Sequence, residues 1–248
     1  MNQALFITGG GRGIGAATAR LAAAQGFNLA LNYTRDEAAA QAVAAYARGL
    51  GRRALVLRGD VAVEADVQAM FGAIDGEFGA LHGLVNNAGV VDVASRVEAM
   101  SAARLTRMFA INVIGSMLCA REAVKRMSTA RGGAGGVIVN LSSAAARIGA
   151  AGQYVDYAAA KGAIDTFTLG LAREVANEGI RVNAVRPGII ETEIHASGGQ
   201  PGRAAQMATS VPMQRAGSAE EVAQAILWLL SPASSYTTGA VIDVTGGR

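Results

Sequence analysis

At 248 residues the chain is long enough to bury one sizeable core, and a single domain over residues 1–248 is the default. Hydrophobic residues make up 51% and charged residues 17%, which excludes a disordered, charge-solvated chain, and no apolar run reaches membrane-spanning length. The formal net charge of +3 comes without a Lys/Arg run, so neither nucleic acid nor a membrane surface is expected as a partner.

The opening "MNQALFITGGG" enters an apolar run, 4–8, without the basic and apolar regions of a secretory signal, so a cytoplasmic protein is expected. Next come the glycines of "TGGGRGIG", 8–15, and an Ala-rich helical segment, 13–25. Glycines between a strand and a helix let the backbone approach a pyrophosphate, and the helix N-terminus adds N–H donors and the positive end of its dipole. They fit two registers, Gly9/Gly13/Gly15 or Gly11/Gly13/Ala16. A P-loop needs Lys-Ser/Thr after its last glycine, whereas Gly15 is followed by Ala16-Ala17, which argues against an NTPase.

The second strand, 28–32, runs into "NYTRDEAA". An NAD site would hold the ribose hydroxyls with a carboxylate here, about 20 residues beyond the glycines. Asp36 and Glu37, however, open the helix 36–49, where carboxylates cap backbone N–H groups, and capping is the preferred reading. Arg35 and Arg12 are then available for a 2′-phosphate dianion, so NADP(H) is expected in preference to NAD(H), with Asn32, Tyr33 and Thr34 in the same cofactor-binding set.

Strand and helix keep alternating: strands at 53–57, 83–87, 136–141, 180–185 and 240–244, helices at 64–78, 102–129, 153–177 and 219–230. This predicts an α/β fold, a doubly wound, seven-stranded parallel sheet with helices on both faces and ligands at the carboxyl ends of the strands. Cys119, the only cysteine, lies in an apolar helical pattern and reads as a buried, inert thiol. Trp228, on the apolar stripe of the last helix, is expected in the core or in a subunit contact. Two stretches break the alternation. "GGAGG", 132–136, is a turn, and 189–212 is too long for an ordinary connection, so a substrate lid is expected there, with His195, Met207 and Met213 in or beside it.

"YVDYAAAK", 154–161, holds two tyrosines and a lysine. In a helix Tyr157 and Lys161 share a face, whereas Tyr154 meets Ala158. An ammonium beside a phenol favours the phenolate and brings its pKa down from about 10, which suits an acid/base catalyst. Upstream, Ser142 and Ser143 end a strand, where either hydroxyl could bond a substrate oxygen or simply cap the next turn.

Taken together, these residues resemble the short-chain dehydrogenase/reductase family across the whole chain. Its signatures stand here as Thr8-Gly9-x-x-x-Gly13-Ile14-Gly15, Asp60-Val61, Asn86-Asn87-Ala88-Gly89, Asn112, a serine after the fifth strand, Tyr157-x-x-x-Lys161 and Pro187-Gly188. The resemblance implies hydride transfer between a nicotinamide and the carbonyl or alcohol carbon of a small substrate, with Tyr157 as acid/base and Ser143, the second of the serine pair, polarising the substrate oxygen. It implies that Lys161 bonds the nicotinamide ribose and lowers the Tyr157 pKa, and that Asn112 bends the long helix and holds a water leading to Lys161. For the cofactor it implies contacts from Gly9, Gly11, Arg12, Gly13, Ile14 and Gly15, from Asp60 and Val61 at the adenine, and from Asn87, Ala88 and Gly89 at the ribose. Pro187, Gly188, Ile190 and Thr192 would cover the nicotinamide. A homotetramer is implied by analogy, and no residue is assigned to a metal.

Two other functions fit the fold. A 3-oxoacyl-(acyl-carrier-protein) reductase would want a basic docking patch by the site, which Glu178 in "ANEGIR" argues against. A non-catalytic NADP(H)-sensing regulator would show a broken Ser-Tyr-Lys set, and the set is intact.

Overall fold

The computed structural model describes residues 3–248, apart from the side chains of His195 and Ser197. Seven strands, β1 (Ala4–Ile7), β2 (Asn28–Tyr33), β3 (Ala54–Arg58), β4 (Gly83–Asn86), β5 (Gly136–Leu141), β6 (Ile180–Pro187) and β7 (Val241–Val244), form one sheet in the order β3-β2-β1-β4-β5-β6-β7. Every pairing is parallel. The expected doubly wound sheet is therefore present, with bounds shifted by one or two residues at most strand ends. The order reverses between β1 and β4. At that switch point the loops leaving the two carboxyl ends diverge and open a crevice.

Alternation of side chains along the strands supplies both faces. From β1, Leu5 and Ile7 point to the side covered by α1 (Gly13–Ala24), α2 (Glu37–Gly49) and α10 (Ala219–Leu230). Phe6 points to the other side, covered by α3 (Glu64–Phe78), α5 (Gly115–Met127) and α7 (Val155–Val175), where it meets Phe71 edge-on with ring centroids 5.2 Å apart. Alanines on α1 and α5 let backbones approach the sheet closely. Asp36 caps α2 by accepting from Ala39 N at 3.0 Å, as its position before the helix predicts.

The predicted helix 102–129 is two helices, α4 (Ala102–Phe109) and α5, joined by a π-helical turn over Ala110–Ile114. The extra residue of a π turn releases a main-chain carbonyl. Asn112 answers it, its Nδ2 donating to Met108 O at 3.0 Å. The long connection after β6 is folded into α8 (Ile194–Ser197) and α9 (Arg203–Met207), and α6 (Ala145–Ile148) follows β5. Among the described residues no helix is long and apolar enough to cross a membrane, and no group of His, Cys, Asp and Glu could hold a metal ion.

Candidate active site

The glycine loop resolves into one of its two registers. Gly9 and Gly13 have φ of 63° and 49°, which favours glycine at both positions. A Cβ on Gly15 would stand 2.4 Å from Gly9 O and 2.5 Å from Asn87 Nδ2. At Gly11 a Cβ would stand 3.1 Å from Ala40 N at the start of α2, so packing against that helix by itself favours glycine there. The α1 helix begins without a side-chain cap and without an acidic residue in its first turn, which leaves its dipole and first N–H groups suited to an anion.

Two loops are stitched together at the switch point. Thr8 Oγ1 accepts from Asn87 N at 3.0 Å and Ala88 N at 2.9 Å, and Asn87 Nδ2 donates to Thr8 O at 2.9 Å and Gly9 O at 3.0 Å. This cradle has the shape and free donors a pyrophosphate requires, so the residues present fit a dinucleotide. Gly15→Ala is expected to weaken NADPH binding at least about tenfold and to lower Tm, read by fluorescence titration and thermal melts, because main-chain Gly9 must give way.

Next to the cradle lies a cavity of about 200 Å³ bordered by Ser143, Tyr157 and Lys161. Each reaches it for a local reason. Lys161 is 4% exposed, and its Nζ donates to Leu141 O at 2.7 Å while Ser142 Oγ donates to Lys161 O at 3.2 Å, a reciprocal tie between α7 and the end of β5. The Ser142 hydroxyl is spent on that tie. Ser143 turns outward, accepting from Ala145 N at 3.1 Å, and hydrogen-bonds the Tyr157 phenol. Burial pulls the Lys161 pKa down to about 8 from an ordinary 10.5, opposed by the nearby Asp165 carboxylate. Asp165 pairs in turn with Arg186 at 2.9 Å.

The expectation for the phenol is corrected. Its pKa lies above the ordinary 10.0, because removal from water penalises the phenolate more than the Ser143 hydrogen bond favours it. Lys161 aims its ammonium at Leu141 O, with Nζ 5.6 Å from the Tyr157 ring centroid, and its own charge is discouraged by burial. Asn112 lies close by, since a Cβ on Gly89 would stand 2.8 Å from its Oδ1 and 3.6 Å from Lys161 Nζ. Its amide is largely committed, donating to Val90 O and Met108 O and accepting from Val90 N. It fixes the Gly89-Val90 segment, and a water link to Lys161 would have to use what acceptor capacity remains.

Other expected cofactor residues are spread around the crevice. Ile14, Asn87, Gly89, Pro187, Gly188 and Ile190 border the cavity. Thr192 approaches Gly13, with Cγ2 3.3 Å from the position of a Cβ there. Asp60 accepts from Ala62 N at 2.9 Å, and buried Val61 packs on Gly115. Tyr33, Thr34, Arg12 and Arg35 lie at the open end, and neither arginine has an ion-pair partner among the described residues. Removal from water raises the Tyr33 pKa, and the nearby Glu37 carboxylate adds to it. Asn32 differs from expectation. It is buried, its Oδ1 accepting from Gly9 N and its Nδ2 donating to Gly59 O at 2.8 Å, so its amide braces two loops instead of facing a ligand.

Sequence patterns gave no signal for Gln153, Arg203 and Arg248, which border the same cavity. Tyr154 borders it too, with Arg203 Cζ 5.2 Å from its ring centroid. Met207 and Met213 do not border it, and the His195 side chain lies outside the described residues. Trp228 is 43% exposed, which removes the core reading. Cys119 is buried, and burial with the Glu122 carboxylate pushes its thiol up to about 12, as an inert thiol requires.

Residues 9–248 match the family described as enoyl-(acyl carrier protein) reductase. The Escherichia coli "uncharacterized oxidoreductase YgfF" is 55% identical over 243 residues, 98% of each chain. The chain is a short-chain dehydrogenase/reductase. A second relative in that family, the cis-4-hydroxycyclohexanecarboxylate dehydrogenase of Sinomonas cyclohexanicum, is 39% identical over 97% of this chain and 94% of its own. Two solved structures share its fold at TM-score 0.90, each covering 99% of this chain. They are a Burkholderia cenocepacia short-chain dehydrogenase with NADP, 31% identical and covered over 97%, and a Brucella melitensis 3-ketoacyl-(acyl-carrier-protein) reductase with NADH, 32% identical and covered over 98%. This short-chain dehydrogenase/reductase is thus an NAD(P)-dependent oxidoreductase.

Proposed function

We propose that this oxidoreductase interconverts an alcohol and its carbonyl on a small substrate, with NADP(H) preferred. The observation that carries the proposal is the meeting of Ser143, Tyr157 and Lys161 at one cavity beside the glycine cradle. A bound nicotinamide would supply or accept the hydride. Ser143 holds and polarises the substrate oxygen, and Tyr157 gives that oxygen its proton in reduction or takes it in oxidation. Lys161 would bond the nicotinamide ribose and, with Asn112, return the proton toward solvent. The name of the Sinomonas relative, which specifies a ring hydroxyl as donor, supports an alcohol as substrate. A spectrophotometric screen at 340 nm across aldoses, ring and aliphatic ketones, quinones and 3-oxoacyl thioesters tests it, and the absence of NADPH oxidation with any would overturn it.

The preference for NADP(H) rests on Arg12 and Arg35, both exposed and without carboxylate partners among the described residues, and on Asp36 being occupied as a cap. A charged contact contributes roughly 1.5–3 kcal/mol, so Arg35→Ala is expected to lose at least about tenfold in kcat/KM with NADPH and little with NADH. A wild-type preference for NADH would defeat the assignment.

The family description and the Brucella structure favour a second reading, reduction of a 3-oxoacyl thioester. Glu178 does not bear on it. The turn that carries it, Ala176–Glu178, precedes β6, at the end of the sheet opposite the crevice, and its carboxylate bonds Ser128. The same screen separates the two. We further propose a cytoplasmic homotetramer, supported by exposed apolar residues such as Phe109 and Ile114 on α4 and the π turn and Trp228 on α10. Sedimentation velocity at about four times the monomer mass checks the assembly.

A further inference from the structure

The side-chain charge lining the cavity is one-sided. Arg203, Arg248 and Lys161 border it, and no Asp or Glu does among the described residues. Most arginines elsewhere that lie against other elements have a carboxylate partner, as Arg104 has Asp156 at 2.8 Å and Arg126 has Asp75 at 2.8 Å. Among the described residues Arg203 bonds only neutral amide oxygens, Gln200 Oε1 at 2.6 Å and Gln153 Oε1 at 2.7 Å. Five N–H donors less these two leave three for something else. Arg248 Nη1 is buried and has no hydrogen-bond partner among the described residues. Donors of cationic groups held from water without an acceptor are costly unless an anion completes them.

The cofactor's phosphates do not account for Arg203. Lys161 and Tyr157, four residues apart, are separated by about 6 Å along α7, and Tyr154 is the residue that precedes its first turn. The Lys161 end faces Gly89 and the glycine cradle, and the Tyr154 end carries Arg203 over its ring. Arg203 therefore lies beyond the reacting hydroxyls, on the side away from the cradle. The cavity wall also carries apolar Ile148, Ala150 and Ile194. A planar guanidinium presents paired N–H groups that match a carboxylate.

We infer that the substrate is a hydroxy or oxo acid, its alcohol or carbonyl carbon at Tyr157 and Ser143, an apolar skeleton in the middle and its carboxylate on Arg203 and Arg248. The inference rests on the oxidoreductase reading for the first of these contacts and on the cavity's charge for the last. It makes Arg203 and Arg248 specificity-determining residues.

The test uses the full-length enzyme with NADPH and two ketones that differ in one charge, 4-oxocyclohexanecarboxylate and its methyl ester. The acid is expected to exceed the ester at least about tenfold in kcat/KM. Arg203→Gln and Arg248→Gln are each expected to lower that ratio about tenfold, through KM for the acid, and Arg203→Lys to restore part of it. A purely structural role in the lid would change both substrates alike and leave the ratio in place. A wild-type ratio near one, or a ratio unmoved in both glutamine variants, overturns the inference. Should neither ketone be reduced, calorimetric titration of the enzyme with NADP⁺ present reads the anion site without turnover. Cyclohexanecarboxylate is expected to bind at least about tenfold more tightly than cyclohexanecarboxamide, and equal binding overturns the inference. Failure of turnover with carboxylate binding intact falls on the oxidoreductase reading alone.

Discussion

Tyr157→Phe is expected to lower kcat at least about a hundredfold while changing NADPH affinity less than about threefold. The substitution keeps the ring, and with it the packing on α7, and removes only the hydroxyl that faces Ser143. General acid/base catalysis by a positioned group contributes about 10²–10⁴, so the loss belongs in kcat and kcat/KM together. Steady-state rates with a saturating ketone and fluorescence titration of NADPH measure the two separately. Near-normal turnover would overturn the role of the phenol.

The sign of the pH dependence follows from the raised phenol pKa. Below it the group is protonated and serves as the acid, so reduction is favoured through neutral pH and falls as pH rises toward that pKa. Oxidation needs the phenolate and improves over the same interval. In the Phe variant the residual rate should lack both limbs.

The fold was legible because each of its devices leaves a local mark. Strands buried on both faces read as unbroken apolar runs, and the loop at the switch point must be rich in glycine to pass Asn87 and Gly9 O so closely. Tyr157 and Lys161 were legible because a helix turns i and i+4 to one side. Asn32 was misread for the opposite reason. Its position at a strand end marks it as near the crevice, but whether an amide faces a ligand or braces two loops depends on Gly9 and Gly59, distant in sequence. Arg203 and Arg248 carry no pattern at all, since they reach the cavity from the long connection and from beyond β7. The phenol's pKa was misjudged because spacing reports the neighbouring charge and says nothing of desolvation, which dominates here.

Desolvation also sets the second large effect, at Lys161. Lys161→Met is expected to lower kcat/KM at least about a hundredfold and yet to raise the melting temperature at pH 7, measured without added cofactor. Burial holds the folded-state pKa at about 8, below the 10.5 of the exposed side chain. The difference corresponds to a penalty of about 3 kcal/mol on the buried ammonium. Below pH 8 both the folded and the unfolded chain bind the proton and the penalty is felt in full. Between 8 and 10.5 the unfolded chain binds more protons than the folded one, so stability rises with pH until the penalty is gone. Methionine fills a similar volume without the charge, at the cost of the charge-assisted bond to Leu141 O, roughly 2 kcal/mol. The net gain of about 1 kcal/mol corresponds to a few degrees in a chain of this size. It should shrink toward zero, or reverse, as pH approaches 10, because the wild type then sheds the same penalty. A variant that melts below the wild type at pH 7, or a difference that does not change with pH, would show that the lysine is not held there against its solvation. The expected pairing of lost turnover with gained stability is what distinguishes a cation kept for chemistry from one kept for the fold.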